Sequence, residues 1–279
     1  MNRLVDELSS MMSREVLAVV DVVKLVTDPA FFGIGVPRGN GQRVVVIPGL
    51  FGNDLYLQPL NNWLYRIGYS PICSEVAPNA GCLQRLRDEI LRRIDRRLRG
   101  DPRPIALIGH SRGGVLAWAL ASHLQQRVSH VVLLGSPVAS FVISVETGTT
   151  AAAPSGQVGR MLMRASTIVR YMLDPDCEYP KCGCSFVRDA MGSLSADTSV
   201  LSIHGRNDLL VPKEAQVSEN ETLVVNASHV GLVYSPEVYR ALGRFLGGTA
   251  PPSANRNAVT ASAFAEGSTR KPKDREQLI

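Results

Sequence analysis

A serine stands with a glycine two residues to either side in Gly109-His110-Ser111-Arg112-Gly113, where the apolar run "PIALI" (104–108) gives way to a helical pattern over 112–126. A serine in a tight strand-to-helix turn presents its hydroxyl outward. The flanking positions must lack a Cβ for strand and helix to approach so closely. Such a hydroxyl suits nucleophilic attack but is weak near neutral pH, so the chain must also supply a base to take its proton and an acid to orient that base. The helix that follows adds unpaired N–H groups and a positive dipole end.

Five histidines compete for the base. His110 sits inside the turn, its side chain directed away from that of the serine, and His204 ends a strand-like run. His123 and His130 flank a helix–strand connection at the opposite edge of the expected sheet. His229, in "NASHVGL", follows the late run "ETLVV" (221–225) and reaches the same edge as Ser111, so it is the candidate base. For the acid, "SVLSIHGRNDLLVP" places Asp208 a few residues past a strand, in a polar turn closed by Pro212; Asp174, Asp176 and Asp197 are weaker rivals. Three residues after three separate strands can converge at one edge of a parallel sheet. Attack on a carbonyl creates an oxyanion that needs N–H donors. The amide of Arg112 is one candidate, and "PGLFGND" (48–54) offers Leu50 first and Phe51 second.

These residues need a scaffold, and the sequence predicts one. Short β-branched runs at 43–47, 69–73, 104–108, 130–134, 199–203 and 221–225 alternate with helical patterns at 55–67, 83–99, 112–126 and 236–246. Runs this apolar suit strands covered on both faces, and the alternation implies an α/β fold with a predominantly parallel sheet of about six strands flanked by helices. The rhythm stops between Pro137 and Thr198. That stretch, with a helix expected at 159–173, reads as a small cap insertion (about 138–198) above the carboxyl ends of the strands. Met161, Leu162, Met163 and Ile168 there would either pack the cap onto the body or line an acyl pocket. The predicted division is an N-terminal helix and linker (1–39), the main domain (40–247) and a disordered tail (248–279) with too little apolar content to fold.

Composition narrows the partners. The formal net charge is +5, and seven arginines face three acids between Gln84 and Arg99, as on the wet face of an amphipathic helix. No aromatics interleave with them as a single-strand binder would need, so no nucleic-acid partner is expected. Apolar residues at helical spacing from Leu4 to Val26 suggest a helix packed on the domain, or one making peripheral membrane contact. The run "VLAVVDVVKLV" (16–26) is broken by Asp21 and Lys24, and nothing resembles a secretory signal, so a cytoplasmic protein is expected. Five cysteines are then expected to be mainly free thiols. "CEYPKCGC" (177–184) gathers three of them but has no fourth ligand at a familiar spacing, so no metal is expected. A disulfide within that cluster, or between Cys73 and Cys82, stays open.

Taken together, "VVVIPGLFGN", "IALIGHSRGG", "LSIHGRNDLLVP" and "ASHVGL" resemble the α/β-hydrolase superfamily in its esterase/lipase-like branch, over roughly residues 40–247. The resemblance implies Ser111 as nucleophile, Asp208 as acid, His229 as base, the Leu50 and Arg112 amides as oxyanion hole, and no cofactor. Pro48, where many members carry histidine, leans toward lipid-type esters, and the expected partner is a small-molecule ester substrate with an apolar acyl chain. The first two strands of the full eight-stranded fold are not evident, so the resemblance implies a reduced sheet. Hydrolysis of carboxylic esters is the expected activity. Transfer of the acyl group to another acceptor, thioester hydrolysis and a non-catalytic scaffold are the alternatives.

Overall fold

Each β-branched run becomes a strand, and the six strands form one parallel sheet in the order β2-β1-β3-β4-β5-β6. They are β1 (Arg43–Ile47), β2 (Ser70–Cys73), β3 (Ile105–His110), β4 (Val128–Leu134), β5 (Ser199–Gly205) and β6 (Glu221–Val225). The computed structural model describes residues 20–147, 156–177, 184–217 and 221–248. The described residues belong to one compact unit; residues 250–279 lie outside the described residues, as do the expected tail disorder and most of the expected N-terminal helix. No helix among the described residues is long and apolar enough to cross a membrane.

Chain order reverses at β1, whose sequence neighbour β2 lies on one side while β3 lies on the other. The carboxyl ends of β1 and β3 therefore flank the point where chain order reverses, the usual place for a ligand in such sheets. The loop containing Leu50 and the turn containing Ser111 leave from those two strands.

Alternate residues of each strand feed two cores. Val44, Val46, Ala106, Ile108, Val132 and Leu134 face α1 (Gln58–Arg66) and α7 (Pro236–Gly247). Val45, Ile47, Leu107, Val131 and Leu133 face α2 (Leu83–Leu98) and α3 (Arg112–Leu124). Burial on both faces explains why these strands read as continuous apolar runs.

Between β4 and β5 the insertion forms α4 (Val138–Thr147), α5 (Gly156–Leu173) and α6 (Ser185–Ala190). The helix expected at 159–173 is therefore present, and α4 and α6 add to it. Phe141 and Phe186, from α4 and α6, meet edge to face at 5.7 Å inside the second core. Of the four apolar residues singled out in α5, Met161 and Ile168 are more than half exposed, while Leu162 and Met163 are half-buried. The arginine face of α2 also departs from expectation. Arg87 and Arg93 are buried, the first ion-paired with Asp189 and bonded to Ser185 of α6, the second ion-paired with Glu75. Guanidinium groups taken out of water need such partners.

Trp63 of α1 ties this scaffold to the N-terminal segment. Its ring is fully buried 4.7 Å from Tyr239 of α7, and its indole N–H donates to the Ala30 carbonyl at 2.8 Å. Trp63→Ala is expected to cost about 3–5 kcal/mol of unfolding free energy. Chemical denaturation measures this, and a loss under about 1 kcal/mol would mean that the neighbours collapse into the space.

Candidate active site

At the carboxyl end of β3 the chain turns into α3 within one residue. Ser111 occupies that position with φ +54° and ψ −125°, a conformation L-residues rarely adopt and that costs about 1–3 kcal/mol. Its N–H donates to Leu134 O at 2.8 Å, and its carbonyl accepts from Gly114 N at 2.9 Å. The flanking glycines are required by contact: a Cβ on Gly109 would lie 2.4 Å from Gly113 O, and one on Gly113 would lie 2.3 Å from Ile47 O.

Asp208 lies three residues beyond β5, with its carboxylate almost fully buried. One oxygen, Oδ1, accepts from the N–H groups of Leu210 and Val211, both at 2.9 Å. The other, Oδ2, meets His229 Nδ1 at 2.7 Å. An ionised carboxylate can only accept, so Nδ1 carries the proton and His229 Nε2 is left as the acceptor. His229 lies on the loop between β6 and the 3₁₀ turn Gly231–Tyr234, and its ring is buried.

Ser111 is anchored to this pair through the end of β4. A Cβ on Gly135, next to the Leu134 carbonyl that holds Ser111, would fall 3.0 Å from Asp208 Oδ2 and 3.3 Å from His229 Nδ1. The structure thus brings His229 and Asp208 into direct contact at the sheet edge that carries Ser111. The Ser111 hydroxyl itself makes no hydrogen bond among the described residues. Nucleophile–base contacts often tighten only when substrate binds.

The loop after β1 closes on the same turn, since a Cβ on Gly49 would lie 3.1 Å from that of Ser111. Phe51, at φ +58°, donates its N–H to Asn79 O at 3.0 Å, which rules out that amide as a free donor. The Leu50 N–H has no hydrogen-bond partner among the described residues. Asn79 also donates from Nδ2 to Pro48 O at 2.6 Å, and Arg112 Nη2 donates to Gly81 O at 2.7 Å. Asp174, a rival for the acid, is engaged elsewhere: its carboxylate accepts from Cys82 N and Arg85 Nε, both at 2.7 Å, and these contacts hold it below the usual carboxylate range against the opposing effect of burial.

Sequence spacing did not point to Tyr56, Asn79 or a site contact for His110. The Tyr56 hydroxyl accepts from Gly49 N at 2.6 Å and lies 3.0 Å from His110 Nδ1, while His110 Nε2 lies 3.0 Å from His229 O. No periodicity marks such contacts, because the partners come from different loops. Cys73, Cys82 and Cys177 are free thiols, so no bond joins Cys73 to Cys82; Cys182 lies outside the described residues. No group of three or more metal-binding side chains occurs among the described residues.

Residues 43–166 match the family model described as the alpha/beta hydrolase fold. No curated protein matches the sequence. Among solved structures, a polyneuridine aldehyde esterase mutant is similar at 13% identity and TM-score 0.50, over 74% of this chain and 99% of that one. Est1E from Butyrivibrio proteoclasticus is similar at 19% and 0.49, over 76% and 90%. The monoacylglycerol lipase of Paleococcus ferrophilus is similar at 17% and 0.48, over 75% and 96%.

Burial pushes His110 down from the ordinary histidine value of 6.5 to about 3, with the nearby His229 ring adding to the effect. The unfolded chain therefore takes up this proton first as pH falls. The stability that depends on a neutral His110 is complete above about 6.5 and drains away as pH drops toward 3. In paired melting curves of wild type and His110→Gln, the wild-type advantage is expected to shrink progressively through that window. An advantage constant with pH would contradict the assignment.

Proposed function

We propose that this chain, a member of the α/β-hydrolase superfamily, is a serine hydrolase that cleaves carboxylic esters through an acyl-enzyme. Ser111 is the nucleophile, His229 the base and Asp208 the acid that orients it; the amides of Leu50 and Arg112 receive the oxyanion. The observation that carries this reading is the buried 2.7 Å bond between Asp208 and His229, set at the sheet edge where Ser111 is held at positive φ.

The chemistry follows from those roles. As Ser111 Oγ bonds to the ester carbonyl carbon, its proton passes to His229 Nε2, and the carbonyl oxygen becomes an anion facing the Leu50 amide. Asp208 remains ionised and stabilises the imidazolium. Collapse of the intermediate breaks the bond to the alcohol oxygen, which leaves with the proton from His229. Water then enters: His229 takes one proton from it, the oxygen attacks the acyl carbon, and Ser111 recovers its hydrogen as the acid departs.

An apolar acyl chain is the substrate feature that the surroundings favour. Phe51 beside Leu50 and Leu209 beside Asp208 are both over a third exposed, and Leu55 is largely exposed. Apolar side chains left in water around a polar centre suit a ligand that will cover them. The exposed Met161 and Ile168 of α5 are further apolar surface on the cap.

A fluorophosphonate probe is expected to modify Ser111 and no other residue. Ser111→Ala is expected to lower turnover of p-nitrophenyl butyrate by at least roughly 10³-fold, with a melting temperature within about 4 °C of wild type. Mapping the label by mass spectrometry decides the nucleophile. A label on another serine, or near-normal turnover by the alanine variant, would falsify the assignment. Acyl transfer would show as ester exchange when a competing alcohol is added.

A further inference from the structure

We propose that Tyr56 and His110 are positioning residues for this reaction, setting the oxyanion loop and the base loop at a fixed separation. The inference rests on the roles just given to Ser111, His229, Asp208 and Leu50. It is carried by three hydrogen bonds that connect Gly49, Tyr56, His110 and His229 in a single chain.

The proton positions in that chain follow from one end. The His229 carbonyl can only accept, so His110 Nε2 carries the hydrogen. His110 Nδ1 is then bare and can only accept, so the Tyr56 hydroxyl must donate to it. The tyrosine oxygen keeps its acceptor capacity and takes the Gly49 N–H at 2.6 Å. No member can reverse without breaking its neighbour's bond. Burial supports the arrangement, since His110 resists protonation and the Tyr56 hydroxyl is pushed well above its ordinary value.

Both ends of the chain reach groups that the reaction uses. Gly49 immediately precedes Leu50, so fixing its N–H constrains the peptide plane before the amide aimed at the oxyanion. At the other end, His110 grips the main chain of the base residue, and its ring lies 4.9 Å from the His229 ring. A second tie runs in parallel: the Tyr234 hydroxyl, from the turn after His229, donates to the Tyr56 carbonyl at 2.9 Å. Removing the Tyr56 hydroxyl alone therefore leaves the two loops joined while releasing Gly49 and His110. That separates positioning from simple integrity of the fold.

Tyr56→Phe is the direct test, assayed for kcat, KM and the rate of Ser111 modification by a fluorophosphonate. Displacing reacting groups by even about 1 Å costs up to roughly 10²-fold in rate, so kcat is expected to fall by about 10- to 100-fold. The labelling rate is expected to fall with it, because phosphonylation uses the same base and oxyanion donors, while KM stays within about threefold. His110→Gln, whose amide can still donate to the His229 carbonyl, is expected to retain more kcat than His110→Leu, which cannot. Should the leucine variant fail to fold, Tyr56→Phe decides alone. Wild-type kcat and labelling rate in Tyr56→Phe, or equal kcat in folded Gln and Leu variants, would overturn the positioning role and leave the hydrolase reading standing. Absence of label at Ser111 in the wild type would overturn both.

Discussion

Backbone contact at one turn governs this molecule. Gly109, Gly113 and the end of β1 approach so closely that no side chain fits between the strand and the start of α3. That contact forces Ser111 into a conformation local energetics disfavour, and it fixes where α3 begins. The strain persists because the surroundings over-determine it. The N–H of Ser111 is held by β4, its carbonyl by Gly114, and α3 is buried along most of its length against both neighbouring helices and the sheet.

The parallel sheet converts this local constraint into a site. Since all six strands point the same way, their carboxyl ends form one edge, and the loops after β1, β3, β5 and β6 meet there without any long excursion. These four loops, and the one after β2 that carries Asn79, could still settle independently. Buried hydrogen bonds join them instead: Asp208 to His229, His110 to the His229 carbonyl, Tyr56 to Gly49 and His110, and Asn79 to Pro48 and Phe51. In a low-dielectric interior each such group is costly if left unpaired. The set therefore favours one arrangement of the loops over many.

The insertion after β4 is joined to the body by charge as well as by apolar contact. Asp174 bonds Cys82 and Arg85 at the start of α2, and Asp189 takes the buried Arg87. The same Asp174 lies against Gly81, whose carbonyl is held by Arg112, the residue after Ser111. A polar path thus runs from the cap to the turn that holds the serine, while much of the outward surface of α5 remains apolar and exposed.

The α/β architecture was legible in the sequence because strands covered on both faces must be apolar throughout, and because helices between them repeat their apolar positions every three or four residues. Gly109, Ser111 and Gly113 were legible because a steric requirement acts between neighbours in the chain. Asp208 and His229 could be nominated by their place after late strands, yet their contact belongs to the tertiary structure. So does the choice between Leu50 and Phe51, which turned on the carbonyl of Asn79, some thirty residues away. Tyr56 and His110 left no readable sign, and Arg87 and Arg93 read as surface charges though they are buried. Sequence pattern records what a residue needs from its own helix or strand. Hydrogen bonds and ion pairs between separate loops depend on distances that exist only once the sheet has formed.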